Sequence, residues 1–376
     1  MQIPRIYDDI EKLLAPGKVL VIYGPRQVGK TTLVKNYLEK TQWKYRLDQG
    51  DNVDLQETLG SRSFSKVLPV VEGLELYVID EAQKIPHVGE VLKILVDQRP
   101  DLRIIATGSS SFELADQVGE PLTGRKQTIT LYPLAQMELV RKWNRHELAQ
   151  RKTDFLVYGS YPRVVMEERK SQKEGLLAEL VGSYLFKDVL SMERIKGAKV
   201  LKQILQLLAY QIGSTVSYNE IANKILIDVK TVARYLDLLE KTFVITSLPG
   251  FGRNLREEVT SQKKYYFWDN GVRNGIIQQF NDLDVRNDVG QLWENFIMIE
   301  RIKKRSYSAI QANIYFWRTH TQKEIDLVEE RGGKLFGYEI KWGEDQAKHK
   351  SAWLAQYPGE AELLVINQKN YLSLIV

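Results

Sequence analysis

Gly24-Pro25-Arg26-Gln27-Val28-Gly29-Lys30-Thr31 has the form G-x-x-x-x-G-K-T and decides how the first third of the chain is read. An apolar run, Val19-Leu20-Val21-Ile22-Tyr23, precedes it, and a helix-compatible stretch from Leu33 to Lys40 follows. Strand, loop and helix in that order are the context a phosphate-binding loop requires. Gly24 and Gly29 allow the backbone to turn its N–H groups toward phosphates. Lys30 is placed to reach the β and γ phosphates, and the Thr31 hydroxyl to ligate Mg²⁺. The start of the helix adds a field that favours anions. The nucleotide-binding set is therefore Gly24, Pro25, Arg26, Gln27, Val28, Gly29, Lys30, Thr31 and Thr32.

Downstream, Leu74 to Ile79 is an apolar run ending in Asp80-Glu81. An acidic pair at the carboxyl end of a strand sits where open α/β sheets bind ligands. Asp80 would hold Mg²⁺, and Glu81 would orient the attacking water. Trp43 to Leu47, Arg103 to Ala106 and Gln127 to Leu131 read as further strands. The second of these runs into Thr107-Gly108-Ser109-Ser110-Ser111, either a hydroxyl tip that senses the γ-phosphate or a polar turn. Arg125, in Leu122-Thr123-Gly124-Arg125, is either an arginine finger supplied to a neighbouring subunit or an ordinary surface arginine. This order of motifs resembles the AAA-type ATPases, in which a strand separates the two nucleotide motifs. The Asn/Thr-Lys-x-Asp stretch that would read guanine is missing, so ATP is expected over GTP.

At 376 residues, two or three domains are expected. The chain has no cysteine, which excludes disulfides and thiolate metal sites. No apolar run approaches a membrane span, and the N-terminus lacks a signal peptide's apolar core, so a cytoplasmic protein with no membrane contact is expected. The formal charge of +5 is concentrated in the middle. Residues 141–250 carry 18 Lys and Arg against 12 Asp and Glu, a net of +6, whereas residues 1–140 carry 17 against 19. A basic segment points to a polyanion partner or to a solvated face.

Residues 134 to 212 read as helical, with Val200, Leu201, Ile204, Leu205, Leu207 and Leu208 forming a core face. Ser217 then caps a helix from Asn219 to Leu226, with Glu220 completing a capping box. A turn near Ile227-Asp228, a second helix from Val229 to Glu240 and a strand from Phe243 give the winged helix-turn-helix layout. Lys230 and Arg234 share one face of the second helix, and Tyr218, Lys224 and Lys241 extend it toward DNA phosphates. A winged helix used for packing or protein contact would read the same way.

Near the C-terminal end, Lys264 to Asp269 and Ile314 to Trp317 are strands flanking a helix, Leu292 to Ile302, that carries Glu294. Glu324-Ile325-Asp326 and Glu339-Ile340-Lys341 lie on two strands joined by a turn at Gly332-Gly333. A tight hairpin pairing Arg331 with Lys334 would set Asp326 opposite Glu339 and Glu324 opposite Lys341. Two facing carboxylates could share one divalent metal, with Glu294 as a further ligand and Lys341 stabilising charge on a phosphate. The bland alternative is an ion-paired surface hairpin whose core face is Ile325, Leu327, Ile340 and Trp342.

A helical Glu, an Asp and a Glu-x-Lys across a hairpin resemble the PD-(D/E)xK nucleases. Taken together, the chain resembles prokaryotic AAA-type P-loop ATPases with a winged helix and a nuclease-like C-terminal domain of unknown function. The residues that carry this include Val78-Ile79-Asp80-Glu81-Ala82-Gln83, Thr231-Val232-Ala233-Arg234-Tyr235-Leu236 and Trp268-Asp269-Asn270-Gly271. The fold class expected is α/β, with a P-loop AAA-type ATPase domain over 1–140, a helical and winged-helix domain over 141–250 and a restriction-endonuclease-like domain over 251–376. The resemblance implies an ATP-dependent DNA-processing enzyme whose tail cleaves with Mg²⁺, acting on duplex or branched DNA such as Holliday junctions, and a homo-oligomer such as a hexameric ring. Lys30, Glu81, Arg125, Asp326, Glu339 and Lys341 would carry catalysis, with Thr31, Asp80, Glu294, Asp326 and Glu339 as metal ligands. The competing readings are a nucleotide-gated DNA-binding switch that does not cut and, more remotely, a chaperone-like ATPase acting on polypeptides.

Overall fold

The computed structural model describes residues 3–108, 121–185, 197–252, 263–319, 321–343 and 346–376. Contacts divide the chain into two compact units: residues 1–133 with 241–243, and residues 134–240 with 244–376. No division falls near residue 250, where a domain boundary was expected. Strands on either side of that point pair directly, Ser247 with Tyr265 and Leu248 with Lys264, which ties the two segments into one sheet.

The first unit is built on a five-stranded parallel sheet. Its strands are β1 (Val19–Tyr23), β2 (Tyr45–Gln49), β3 (Leu76–Asp80), β4 (Arg103–Thr107) and β5 (Lys126–Thr130), in the order β2-β3-β4-β1-β5. β4 lies between the strand that leads into the phosphate loop and the strand that ends in Asp80, the separation expected from the motif order. β1 and β3 are buried along their whole length, which is why they read as unbroken apolar runs rather than alternating ones. On one face, Val19, Val21, Tyr77, Ile79 and Ile104 pack with Val88, Val91, Leu92 and Leu95 of the helix Val88–Gln98. The edge strand β2 is largely exposed. The chain ahead of β1 forms a single 3₁₀ turn, Ile10–Leu13. Asp8 accepts the Arg5 backbone N–H (2.8 Å), bending the chain before a helix can start.

The second unit holds two sheets. A small antiparallel sheet has the order β6-β8-β7, with β6 Thr215–Val216, β7 Ile245–Pro249 and β8 Lys263–Phe267. The helices Tyr218–Ile225 and Val229–Lys241 lie between β6 and β7 in the chain, and the Ser217 hydroxyl accepts the Glu220 N–H (3.3 Å) as the capping pattern requires. The helix Ala198–Tyr210 buries Leu201, Ile204, Leu205 and Leu208. The second sheet has the order β12-β11-β10-β9, with β9 Asn313–Arg318, β10 Glu324–Arg331, β11 Lys334–Ile340 and β12 Ala361–Ile366. Only β11 and β12 pair in parallel. Tyr315, Trp317, Ile325, Val328, Leu335 and Trp353 form a core on this sheet. The Trp268-Asp269-Asn270-Gly271 stretch has a structural job here. The Asp269 carboxylate caps the helix Asn270–Ile277 through the Val272 N–H (3.0 Å) and also accepts the Ser160 N–H (2.6 Å), joining two distant segments.

Candidate functional site

At the end of β1 the chain turns through Gly24 at φ +146°, where a β-carbon would stand 2.0 Å from the Leu131 carbonyl oxygen. Only glycine passes that close. Gln27 (φ +60°) and Gly29 (φ +97°) complete the loop, and the helix Lys30–Leu38 begins at once. Lys30 is buried and donates from Nζ to the carbonyls of Gly24 (2.8 Å) and Pro25 (2.9 Å). Buried Arg5 braces the loop from outside the motif, donating to the carbonyls of Val28 (3.1 Å) and Tyr132 (2.7 Å). Thr32 is exposed on the helix.

The acidic strand end is joined to this loop by a chain of hydroxyls. Thr31 Oγ1 donates to Asp80 Oδ2 (2.8 Å). Thr107 Oγ1 donates to Asp80 Oδ1 and accepts the Glu81 backbone N–H (3.1 Å). Glu81 itself is left-handed (φ +53°), and Gln83 Nε2 donates to its carboxylate (2.6 Å). Thr31, Asp80 and Glu81 thus stand together, with the fully buried Thr107 fixing the acidic pair. These residues suit an Mg²⁺–nucleotide: Thr31 and Asp80 would hold the ion, and Lys30 with the loop amides the phosphates. Of the hydroxyls expected at the tip of β4, Thr107 is the one in place, and Ser109 to Ser111 lie outside the described residues. Arg125 is not brought to this site. It precedes β5, which runs parallel to β1, so it sits at the opposite end of the strands and pairs with Asp97 (3.0 Å).

In the second unit, the residues expected to form a metal site do gather, but in a different arrangement. The β10–β11 hairpin turns at Gly332-Gly333 and pairs Arg331 with Lys334, as counted from sequence. Its ladder then ends at Leu327 opposite Tyr338, one pair short of Asp326 and Glu339. The pairing of β10 with β9 shifts between Ile325 and Val328, so the strand is irregular at Asp326. Asp326 Oδ2 instead accepts the Ile340 N–H (2.7 Å). Glu339 is buried and turned toward the Lys348 N–H (3.1 Å), with Lys341 Nζ 3.1 Å away. Glu324 does not meet Lys341 either. Its Oε1 lies 2.5 Å from Lys264 Nζ, and its Oε2 lies 3.5 Å from Arg318 Nε. Glu294, on the helix Val289–Tyr307, accepts the Tyr266 hydroxyl (2.7 Å) and lies 3.5 Å from the same Lys264 ammonium. Among the described residues, no group of three or more His, Cys, Asp and Glu side chains is arranged to hold a metal ion.

Burial pushes the Asp326 carboxyl up to about 7, with the Glu294 charge acting the same way and Lys264, the Ile340 N–H and Lys341 opposing. For Lys264, burial works against the charge, but Glu294, Glu324 and Asp326 outweigh it and hold the ammonium above the usual lysine range. Lys341 is likewise raised: burial is opposed by Asp326, Glu339 and Glu294. The sequence reading overlooked Lys264. Its signal was a lysine alternating in phase with Tyr266 on a strand otherwise apolar at that face.

Of the cations expected to meet DNA, Lys230 and Arg234 are exposed one turn apart on the helix Val229–Lys241. Lys224 is exposed and paired with Glu220 (2.6 Å), while Lys241 is half-buried at the end of its helix. Tyr218 is committed to the Tyr265 hydroxyl (2.5 Å).

Residues 16–140 match the model of a family described as an AAA domain. With the loop and the acidic strand end already described, this makes the first unit an AAA-type P-loop ATPase domain, of α/β fold and suited to binding and hydrolysing ATP. Residues 149–283 and 289–373 match two domains of unknown function, DUF8612 and DUF4143. An uncharacterized protein of Mycobacterium tuberculosis is 26% identical over 343 residues, covering 88% of this chain and 72% of its own. One from Haemophilus influenzae is 23% identical over 373 residues, covering 94% and 90%, and one from Methanocaldococcus jannaschii is 22% identical over 342, covering 85% and 74%. Among the described residues, no helix is long and apolar enough to cross a membrane.

Proposed function

We propose that this protein is an ATP-driven DNA-handling protein: unit 1 turns over ATP, and the remainder engages DNA. The observation that carries the first half is the Thr31–Asp80–Thr107–Glu81 chain, which keeps a magnesium-binding carboxylate and a water-orienting one in fixed relation. The second half is supported by the basic excess of residues 141–250 and by Lys230 and Arg234 on the exposed face of the second helix of a winged-helix-like layout. On this reading, the helices Tyr218–Ile225 and Val229–Lys241 bind duplex or branched DNA, and the C-terminal part of unit 2 forms a nuclease-like tail. A homo-oligomer such as a hexameric ring would supply Arg125 to a neighbouring site.

Between a tail that cuts and one that clasps, the second is favoured by a specific observation. A buried ammonium, Lys264, lies 3.5 Å from Glu294, one of the carboxylates that cutting would require for metal, and 2.5 Å from Glu324. Support for cutting comes from the approach of Glu294, Asp326, Glu339 and Lys341 to one another around the hairpin.

Steady-state ATP hydrolysis, with and without duplex and four-way-junction DNA, tests the proposal. Glu81→Gln should abolish turnover, and DNA should stimulate the wild-type rate. Lys230→Glu with Arg234→Glu should weaken DNA binding and lower the salt slope by about 2, one for each lost phosphate contact. ATPase activity indifferent to DNA, with no measurable DNA binding, would refute it.

A further inference from the structure

We infer that the Lys264 ammonium is itself the cation of the unit 2 carboxylate cluster, held by Glu294 and Glu324 with the Asp326 charge acting on it, in the place of a divalent ion, so that the tail engages DNA without metal and leaves it uncut. This inference rests on the DNA-handling reading above and sharpens the role of its tail.

The position of Lys264 is fixed by its strand. β8 is the central strand of its sheet, and Lys264 pairs with Thr215 on one side and Leu248 on the other. Its side chain is 2% exposed, with Nζ 5.4 Å from the centre of the Phe316 ring. Neither backbone nor side chain has an easy way to withdraw. A hard divalent cation needs carboxylate oxygens at about 2.0–2.6 Å on several sides. Here each of these carboxylates already faces an internal donor. Glu324 faces Lys264 and Arg318, Glu294 faces Lys264 and the Tyr266 hydroxyl, Asp326 holds the Ile340 N–H, and Glu339 holds Lys341 and the Lys348 N–H. A metal entering among them would meet a fixed positive charge in a medium where charges are poorly screened. The residues present therefore do not fit a divalent ion at this place, although their types match the nuclease pattern.

The test is Mn²⁺ binding to the full-length chain without nucleotide, by calorimetry or electron paramagnetic resonance. The cluster's share is defined as whatever Asp326→Asn removes. In the wild type we expect that share to be nil. In Lys264→Met, which keeps length but removes the charge, we expect one added Mn²⁺ site that is lost again when Asp326→Asn is combined with it. A wild-type site that Asp326→Asn abolishes would overturn the proposal. So would a folded Lys264→Met chain that gains no site, since the lysine would then be an ordinary ion-pair partner. If Lys264→Met does not fold, the wild-type measurement decides alone, for or against. Fluorescence anisotropy with labelled DNA in EDTA keeps the two readings apart. Unchanged affinity upholds metal-free engagement, and affinity that requires Mg²⁺ overturns it. Absence of any DNA binding sinks the DNA-handling reading while the Mn²⁺ result still stands.

Discussion

Thr107→Val removes one hydroxyl and almost no volume from the nucleotide site. Thr107 is fully buried, gives its proton to Asp80 Oδ1 and accepts the Glu81 N–H at 3.1 Å. Valine leaves the Glu81 N–H without its acceptor and Asp80 with Thr31 as its remaining hydroxyl donor. A buried polar group without a partner costs roughly 1–3 kcal/mol, so about 1–3 kcal/mol of stability is lost in unit 1. Glu81 is also held in a left-handed conformation that a non-glycine residue adopts at a cost of about 1 kcal/mol or more, and the Thr107 bond is one of its restraints. Freed, Glu81 and Asp80 drift from the geometry that turnover needs, and a displacement of about 1 Å can cost about 10²-fold in rate. The phosphate loop and Lys30 are untouched, so KM for ATP should stay near its wild-type value while kcat falls about 10²-fold. Thr107→Ser restores the hydroxyl and should recover most of kcat. Steady-state ATPase kinetics with thermal unfolding of the three proteins measure this. A valine variant with unchanged kcat, or one whose KM alone rises, would refute the role given to this hydroxyl.

Gly24→Ala should abolish nucleotide binding in a fluorescent-nucleotide titration, because its β-carbon would lie 2.0 Å from a backbone oxygen that cannot yield without moving β5's exit. Arg301→Met should destabilise unit 2 by about 3–5 kcal/mol, since it strips the bidentate partner (2.6 and 2.8 Å) from the fully buried Glu329. Combining it with Glu329→Leu should return part of that loss in thermal unfolding, as the carboxylate is then gone while Arg305, 3.9 Å from it, loses its neighbour. For Asp326 the folded pKa of about 7 lies above the ordinary 3.8, so the folded chain keeps a proton that the unfolded chain has released. Its stabilising contribution is complete below pH 4 and fades as pH rises through 7, by up to on the order of 4 kcal/mol. Asp326→Asn keeps an oxygen for the Ile340 N–H, so it should flatten the fall in melting temperature between pH 5 and pH 8. Asp269, raised to about 6 mainly by burial, would leave a smaller slope of the same sign.

The nucleotide site was legible because its parts are local. The phosphate loop is eight consecutive residues, and β1 and β3 announce themselves as apolar runs that end in functional positions. The tail was only half legible. Counting outward from Gly332-Gly333 gave the correct hairpin, Arg331 to Lys334 and onward to Leu327 and Tyr338. It failed at Asp326, where the irregular pairing of β10 with β9 breaks the alternation on which the counting relied. Lys264 lies 60 residues before Glu324, and its one local mark, the shared phase with Tyr266, does not say that long-range pairing will bury it. The same holds for Arg5, whose bonds to Val28 and Tyr132 span 23 and 127 residues. The boundary expected near 250 failed for a related reason, since β7 and β8 are one sheet split across a stretch that reads as a linker.

The two acidic centres look alike in sequence, each a carboxylate on a strand near a basic residue, and it is their hydrogen-bond donors that separate them. Asp80 is held by the hydroxyls of Thr31 and Thr107. Hydroxyls orient a carboxylate without neutralising it, so its charge remains available to a magnesium ion, and a hydroxyl can turn to offer its own lone pair to that ion. In unit 2 the carboxylates face Lys264, Arg318 and Lys341, which carry full charges and have no lone pair to offer. Neutral donors prepare a carboxylate for a metal, whereas cationic donors satisfy its charge beforehand. On that distinction the first centre suits a Mg²⁺–nucleotide, and the second, on the inference drawn above, an intact polar scaffold. A single neutral substitution at Lys264 should therefore move the second centre toward the behaviour of the first.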